Sequence, residues 1–138
     1  RISIAAMALG LGRGVLEMGV SYAKDRKQFG KPIGDFQAIQ WMLADSKVEL
    51  DAAGLLTYRA ASLADRNLPY AREASMAKLY ASEAASRACN RVLQIHGGYG
   101  YTREFAVERH LRDAKICEIG EGTSEVQRMV IAKHLLRG

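Results

Sequence analysis

Three carboxylates, Glu118, Glu121 and Glu125, flank a short turn near the end of the chain, and the middle one stands between Gly120 and Gly122. Two glycines around one acidic residue predict a strained loop just before a helix. A carboxylate there has two uses. It accepts backbone N–H groups and leans on the positive end of the helix dipole, the commoner role for an acidic residue at a helix start; or, buried against a ligand, it is tuned into a general base. Farther upstream, Gln94-Ile95-His96-Gly97-Gly98-Tyr99-Gly100-Tyr101 reads as a helix end followed by a glycine-rich turn. Its bare N–H groups suit plain helix termination, or a phosphate or flavin edge. Arg26-Lys27-Gln28-Phe29-Gly30 sets a forked cation, an amide and an aromatic ring at a helix exit. That set can grip a pyrophosphate and a flat ring, and is equally an ordinary charged helix end.

Other chemistries find little support. His96, His110 and His134 share no metal-ligand spacing with one another or with Cys89 and Cys117, and no serine nucleophile motif accompanies them, so no metal is expected and the histidines read as structural or surface groups. The two cysteines predict buried or free thiols in a reducing compartment. The glycine run lacks the strand and crossover helix of a dinucleotide fingerprint, which rules out a Rossmann reading. The net charge is +5, but 20 basic residues are interspersed with 15 acidic ones and do not interleave with aromatics. This disfavours nucleic acid and suits an anionic nucleotide cofactor as well.

The elements that must position these groups are helices. Only two prolines occur and 49% of the 138 residues are apolar, enough for one domain with a buried core. Ile4, Ala8, Leu11, Val15, Met18 and Tyr22 step by four and three along a first helix. The glycines within it, Gly10, Gly12, Gly14 and Gly19, predict close approach of a neighbour. A loop at Gly30, Pro32 and Gly34 ends at a capping Asp35, and a second helix runs from near Phe36 to about Leu63. On it, Phe36, Ile39, Leu43 and Leu50 form one apolar stripe, and Trp41, Ala44, Val48, Ala52 and Leu55 form another. A third helix follows Pro69, with small residues from Ala74 to Ala88 that permit tight packing. A short helix is expected from Phe105 to Ala114, and a last one from Ser124, with Ser124 and Gln127 as a capping box. Arg13 with Glu17, and Arg112 with Asp113, are candidate ion pairs. The expected fold is all-α, an antiparallel up-and-down four-helix bundle with a short extra helix. The pattern opens at Arg1 inside a helix, with no initiator Met, no charged leader and no apolar run long enough to span a bilayer. It therefore reads as a piece of a longer chain that does not engage a membrane.

Six motifs occur together in one order: Arg26-Lys27-Gln28-Phe29-Gly30, Phe36-Gln37, Leu43-Ala44-Asp45, Gln94 to Tyr101, Arg112-Asp113-Ala114-Lys115-Ile116 and Glu121-Gly122-Thr123. In this combination and spacing the chain resembles the acyl-CoA dehydrogenase family over nearly its whole length. The resemblance implies the C-terminal helical domain, residues 1–138, of a larger three-domain, FAD-dependent enzyme acting on CH–CH bonds in fatty-acid or amino-acid catabolism. It implies that Glu121 removes the α-proton of an acyl-CoA thioester as the β-hydrogen leaves as hydride to flavin N5, giving a trans-2-enoyl-CoA. It also implies that the Glu121 N–H helps to polarise the thioester oxygen.

By the same resemblance Arg26, Gln28, Phe29, Gln37, Gln94, Ile95, His96, Gly97 and Gly98 contact FAD, largely a flavin held by a neighbouring subunit. Thr123, Ser124 and Glu125 complete its adenine-nucleotide side, while Gly122 and Arg1 approach the substrate. Implied partners are acyl-CoA, an electron-transfer flavoprotein and further copies of the chain, usually as a tetramer. The implied location is cytoplasmic in a bacterium, or the mitochondrial matrix in a eukaryote. Many members carry Tyr where this chain has Gly120, which predicts room for a bulkier or branched acyl group. The isolated domain is expected to be inactive. Two other readings are an acyl-CoA oxidase on the same fold and a non-catalytic helical interaction or nucleic-acid-binding module, and the placement of Glu121 argues against the latter.

Overall fold

The computed structural model describes residues 1–137. Among the described residues there are five α-helices: α1 (Ile2–Asp25), α2 (Gln37–Asp65), α3 (Ala71–His96), α4 (Val107–Ile119) and α5 (Ser124–Arg137). A minimal hairpin, β1 (Lys27–Gln28) antiparallel to β2 (Lys31–Pro32), turns the chain from α1 toward α2. The fold is all-α, as the periodicity predicts.

α3 is the axis of the bundle and packs against each of the other four helices. Its composition makes that possible, since Ala77, Ala81, Ala84, Ala85 and Ala88 are all fully buried and present only a methyl group to their neighbours. On α1 the counterparts are glycines. A Cβ at Gly12 would strike Leu50 of α2 and press on Ala85 of α3, and one at Gly19 would lie 2.8 Å from Val92 Cγ2. Gly10 and Gly14 meet nothing within 4 Å, so of the four glycines expected to mark close approach, only Gly12 and Gly19 do so. The pairs Arg1 with Ser75, Gly12 with Ala85 and Tyr22 with His96 show that α1 and α3 run parallel. α2 lies antiparallel to α3, with Glu49 bonded to Arg87 and Arg91 and Arg59 reaching Glu73. Burial works to raise the Glu49 carboxyl, but the two guanidiniums outweigh it and hold the group below its usual pKa.

The two apolar stripes of α2 have different fates. Leu50 is buried and Ile39 and Leu43 are partly so, whereas Trp41 is 60% exposed and Val48 and Leu55 also face outward. One helix side suffices for the core of this chain, and the other remains on the surface. α1 has the length and apolar composition to cross a bilayer, contrary to the sequence reading, because its apolar character survives the interruption at Arg13 and Glu17. Here its inner face, from Ala5 and Ala8 to Val15 and Ala23, is spent on the core. Cys89 and Cys117 are free and buried, and burial pushes the Cys89 thiol up to about 12.

Several local expectations fail. Asp35 lies in a 3-10 turn, Ile33–Asp35, and makes no capping bond to α2, whose entry is tied instead by Gln40 donating to the Gly34 carbonyl at 3.0 Å. The short helix starts later and runs longer than predicted, to Ile119, because its second half mixes three charges among its apolar residues and lacks a clear apolar period. Ser124 and Gln127 form no capping box, since Ser124 Oγ has no partner and it is Thr123 Oγ1 that accepts the Val126 N–H, at 3.5 Å. Arg13 and Glu17 do not pair, and Arg112 bonds Glu108, one turn back, at 3.0 Å rather than Asp113.

The ends of α1 and α3 are joined by stacking. The Tyr22 and His96 rings lie 4.0 Å apart, with Phe105 edge-on to both. His96 Nδ1 lies 2.8 Å from the Val92 carbonyl, which places a hydrogen on Nδ1 and leaves Nε2 as an acceptor in the neutral ring. Burial lowers the His96 pKa below 6.5 despite that bond.

Two measurements check this packing. Gly19→Val is expected to destabilise the chain by about 1–3 kcal/mol in urea unfolding through overpacking against Val92. Gly10→Ala, in open space, is expected to stabilise it by about 0.5–1 kcal/mol. For His96, the unfolded chain takes up the proton more readily than the folded one, so the stability due to the neutral ring is present above pH 6.5 and lost as pH falls toward the lower folded pKa. Unfolding free energy should therefore drop across this window, and His96→Phe, which keeps the stack, should flatten the drop; an unchanged slope would remove His96 as its source.

Candidate functional site

α4 ends at Gly120, whose N–H donates to the Ile116 carbonyl at 2.8 Å. The next two residues both take the left-handed conformation, Glu121 at φ +54 and Gly122 at φ +95, and this pair reverses the chain into α5. For glycine the conformation is free, but for Glu121 it costs roughly 1 kcal/mol or more and persists only where its surroundings impose it.

The surroundings are two buried side chains, one that the sequence reading did not single out, Lys78, and one that it assigned to a helix cap, Gln127. Lys78 on α3 is fully buried, and its Nζ donates to the carbonyls of Glu118 at 2.9 Å and Gly122 at 2.8 Å. Gln127 on α5, also fully buried, donates from Nε2 to Gly122 O at 2.9 Å and Glu121 O at 3.3 Å. A signal for Lys78 was available, because it occupies a place on the small-residue stripe between Ala74 and Ala81 where an apolar residue is expected.

The side chain of Glu121 points outward and is 51% exposed, with Oε2 2.7 Å from the α-amino nitrogen of Arg1. That bond, with the charge behind it, holds the carboxyl below its usual pKa, assisted by Lys78 and the Arg1 guanidinium. The ammonium exists only on a chain whose first residue is Arg1; in a peptide bond the same nitrogen loses its charge. Arg1 also donates to Ser75 Oγ at 3.2 Å and borders a cleft formed with Leu68, Pro69 and Tyr70. Glu118 pairs with Lys115 and Glu125 lies exposed, while Ser124 is buried with its hydroxyl unbonded.

A second site forms where α1 and α3 end. Arg26, Gln28, Ile95, His96, Gly97 and Gly98 line one cleft of about 430 Å³ together with Tyr22 and Tyr99. Arg26 is half-buried, its guanidinium 5.4 Å from the centre of the Tyr99 ring. Gly97 takes φ +59, and a Cβ at Gly97 or Gly98 would meet nothing within 4 Å, so the backbone there is bare. Phe29 is not in the cleft. It is 90% exposed at φ +52 on the hairpin tip, its ring edge-on to Phe36, and Gln37 and Gln94 are likewise exposed and outside the cleft.

The structure therefore divides the predicted residues into two groups. Arg1, Glu121, Gly122, Thr123, Ser124 and Glu125 gather at the start of α1, and the Arg26 and His96 cleft at its end. With a rise of 1.5 Å per residue, the interval from Arg1 to Tyr22 separates them by about 30 Å. Among the described residues no group of His, Cys, Asp or Glu is placed to hold a metal ion.

Comparison with known proteins matches this arrangement to one family. The family model described as acyl-CoA dehydrogenase, C-terminal domain, matches residues 1–136. The chain is 58% identical to the probable acyl-CoA dehydrogenase YngJ of Bacillus subtilis, over 99% of its own length and 36% of that protein's. It superposes on butyryl-CoA dehydrogenase from Megasphaera elsdenii with a TM-score of 0.98 and 48% identity, covering 99% of this chain and 36% of that one. It superposes on PigA, solved as an FAD complex, with a TM-score of 0.93 and 35% identity, covering 97% of this chain and 35% of that one. The chain thus spans about a third of the length of these relatives. A bundle of this topology, with the glycine-flanked glutamate at one end and the arginine and glycine cleft at the other, belongs to the acyl-CoA dehydrogenase family, whose C-terminal domain it matches.

Proposed function

We propose that this chain is the part of an FAD-dependent acyl-CoA dehydrogenase that carries the catalytic base, Glu121, and one face of a flavin site. The observation that carries the reading is the Glu121 turn. A carboxylate on a left-handed residue, backed by two buried donors and open on its outer side, is held for something outside the chain. Glu121 takes the α-proton of the acyl-CoA thioester, and its own N–H helps to polarise the thioester oxygen, without which the C–H bond is too weak an acid. Bound FAD supplies the acceptor for the β-hydride at flavin N5, and the product is a trans-2-enoyl-CoA.

The cleft at the far end fits such a cofactor. Arg26 offers a forked cation for a pyrophosphate, and the bare backbone at Gly97 and Gly98 admits a flat group. Gln28, Ile95 and His96 complete this contact, with Phe29, Gln37 and Gln94 reaching from the surface beside it. Thr123, Ser124 and Glu125, beside Glu121, hold the nucleotide part of a flavin at that end, and Arg1 and Gly122 approach the thioester. Because the two ends are far apart, one copy's Glu121 and its Arg26 cleft serve different flavins.

This arrangement requires an assembly of several copies, in keeping with the outward apolar stripe of Trp41, Val48 and Leu55. The isolated chain, holding half of each site, does not turn over acyl-CoA. An electron-transfer flavoprotein is the proposed electron acceptor. Gly120 leaves the pocket wall without a ring beside Glu121 and admits a branched or bulky acyl group.

Two experiments on the full-length flavoenzyme check the reading. Glu121→Gln should lower turnover of acyl-CoA with ferrocenium by about a thousandfold while the flavin spectrum is retained; turnover at the parent level would place the base elsewhere. Co-expression of Glu121→Gln with Arg26→Ala subunits, each inactive alone, should restore about a quarter of the parent activity if the two ends serve different sites in a symmetric pair. No recovery would mean that both ends act on one flavin.

A further inference from the structure

The carbonyls of the Glu121 turn receive side-chain bonds from two residues only among those described, Lys78 and Gln127, and both are fully buried. Lys78 is unusual for a core lysine. No carboxylate lies within 4 Å of its Nζ among the described residues, and its partners are backbone oxygens at the C-terminal end of α4 and in the turn itself. Burying a cation without a counter-ion is costly, and stabilising this bundle does not require one, since Ala74, Ala77 and Ala81 fill the neighbouring places on α3 with methyl groups. What Lys78 does distinctively is join Glu118 to Gly122, the two residues that bracket the interval containing Glu121. Gln127 binds the two carbonyls at the crest of the same turn.

We propose that Lys78 and Gln127 are positioning residues for Glu121, fixing from two different helices the backbone that aims its carboxylate and its N–H. The inference rests on the reading of Glu121 as the base. Three carbonyls, those of Glu118, Glu121 and Gly122, are fixed in direction by four bonds, which hold the two peptide planes that follow Glu121 and the end of α4 before it, where the Gly120 N–H also bonds Ile116. The Gly120–Glu121 peptide, which carries the Glu121 N–H, lies between these held planes and is set by them before any thioester arrives, and preorganisation of this kind acts on the transition state.

Lys78 adds a charge to the geometry that Gln127 lacks. The titratable groups facing it are Cys117 and Glu118 on α4, Glu121 in the turn and Glu125 on α5. Glu121 in turn faces Lys78 on α3 and Arg1 at the start of α1. Burial lowers the Lys78 pKa, and its acidic neighbours oppose that shift. Its cation favours the ionised form of Glu121, the form that accepts a proton.

The test uses the full-length flavoenzyme and compares Lys78→Met, Lys78→Arg, Gln127→Leu and Glu121→Gln. Lys78→Met and Gln127→Leu are expected to lower kcat by about 10- to 100-fold, as displacement of a catalytic group does, with KM and flavin content near the parent values. In the pH profile of kcat/KM, Lys78→Met should move the acid limb to higher pH, Gln127→Leu should leave it in place, and Lys78→Arg should restore it. Parent kcat in either variant, or an unmoved limb in Lys78→Met, overturns the proposal. So does loss of folding in all three Lys78 and Gln127 variants, which would assign the pair to the fold alone. If Glu121→Gln itself keeps parent turnover, it is the reading of the base that fails, and the two failures are told apart.

Discussion

Everything in this molecule depends on how closely α1 can approach α3. The approach is set by Gly12 and Gly19 on one helix and a column of alanines on the other. Small residues bring two backbones together along a parallel pair, and each end of that pair becomes a fixed frame. At one end the frame carries Arg1, Ser75 and the glutamate turn; at the other it carries the Tyr22 and His96 stack and the cleft around them. The rigidity of the glutamate turn and of the far cleft thus comes from residues that line neither.

Much of the fold can be read from the period of the apolar residues. The helices α1, α2 and α3 are long, and their boundaries fall at glycine- or proline-bearing connections, so propensity and pattern agree. α4 is less legible, because charges at Arg112, Asp113, Lys115 and Glu118 interrupt the apolar pattern of its second half. The two stripes of α2 could not be sorted at all by periodicity, since whether a stripe faces inward depends on how many neighbours the helix has.

The candidate site divides in the same way. Glycines around Glu121 and after His96 announce special backbone, and the structure finds positive φ at Glu121, Gly122 and Gly97. Lys78 is not legible as a support of the turn, nor Gln127 as anything but a cap, because their role is made of contacts between residues forty or more apart, or across a turn, to backbone oxygens that every residue possesses. Capping at α5 was misjudged for a related reason. Ser124 and Gln127 have the right types at the right spacing, but Gln127 is drawn back toward the turn and Thr123 takes the cap.

The burial of Cys89 and Cys117 has a consequence for how the chain meets oxidants and electrophiles. The thiolate is the reactive form, and a thiol with a pKa of about 12 holds on the order of 10⁻⁵ of its population as thiolate at neutral pH. Burial also raises the Cys117 thiol, and with both side chains closed to solvent neither sulfur presents a ready thiolate to alkylating or disulfide-forming reagents. Among sulfur-bearing side chains, an oxidant in solvent therefore meets an exposed methionine such as Met129 before it meets either cysteine.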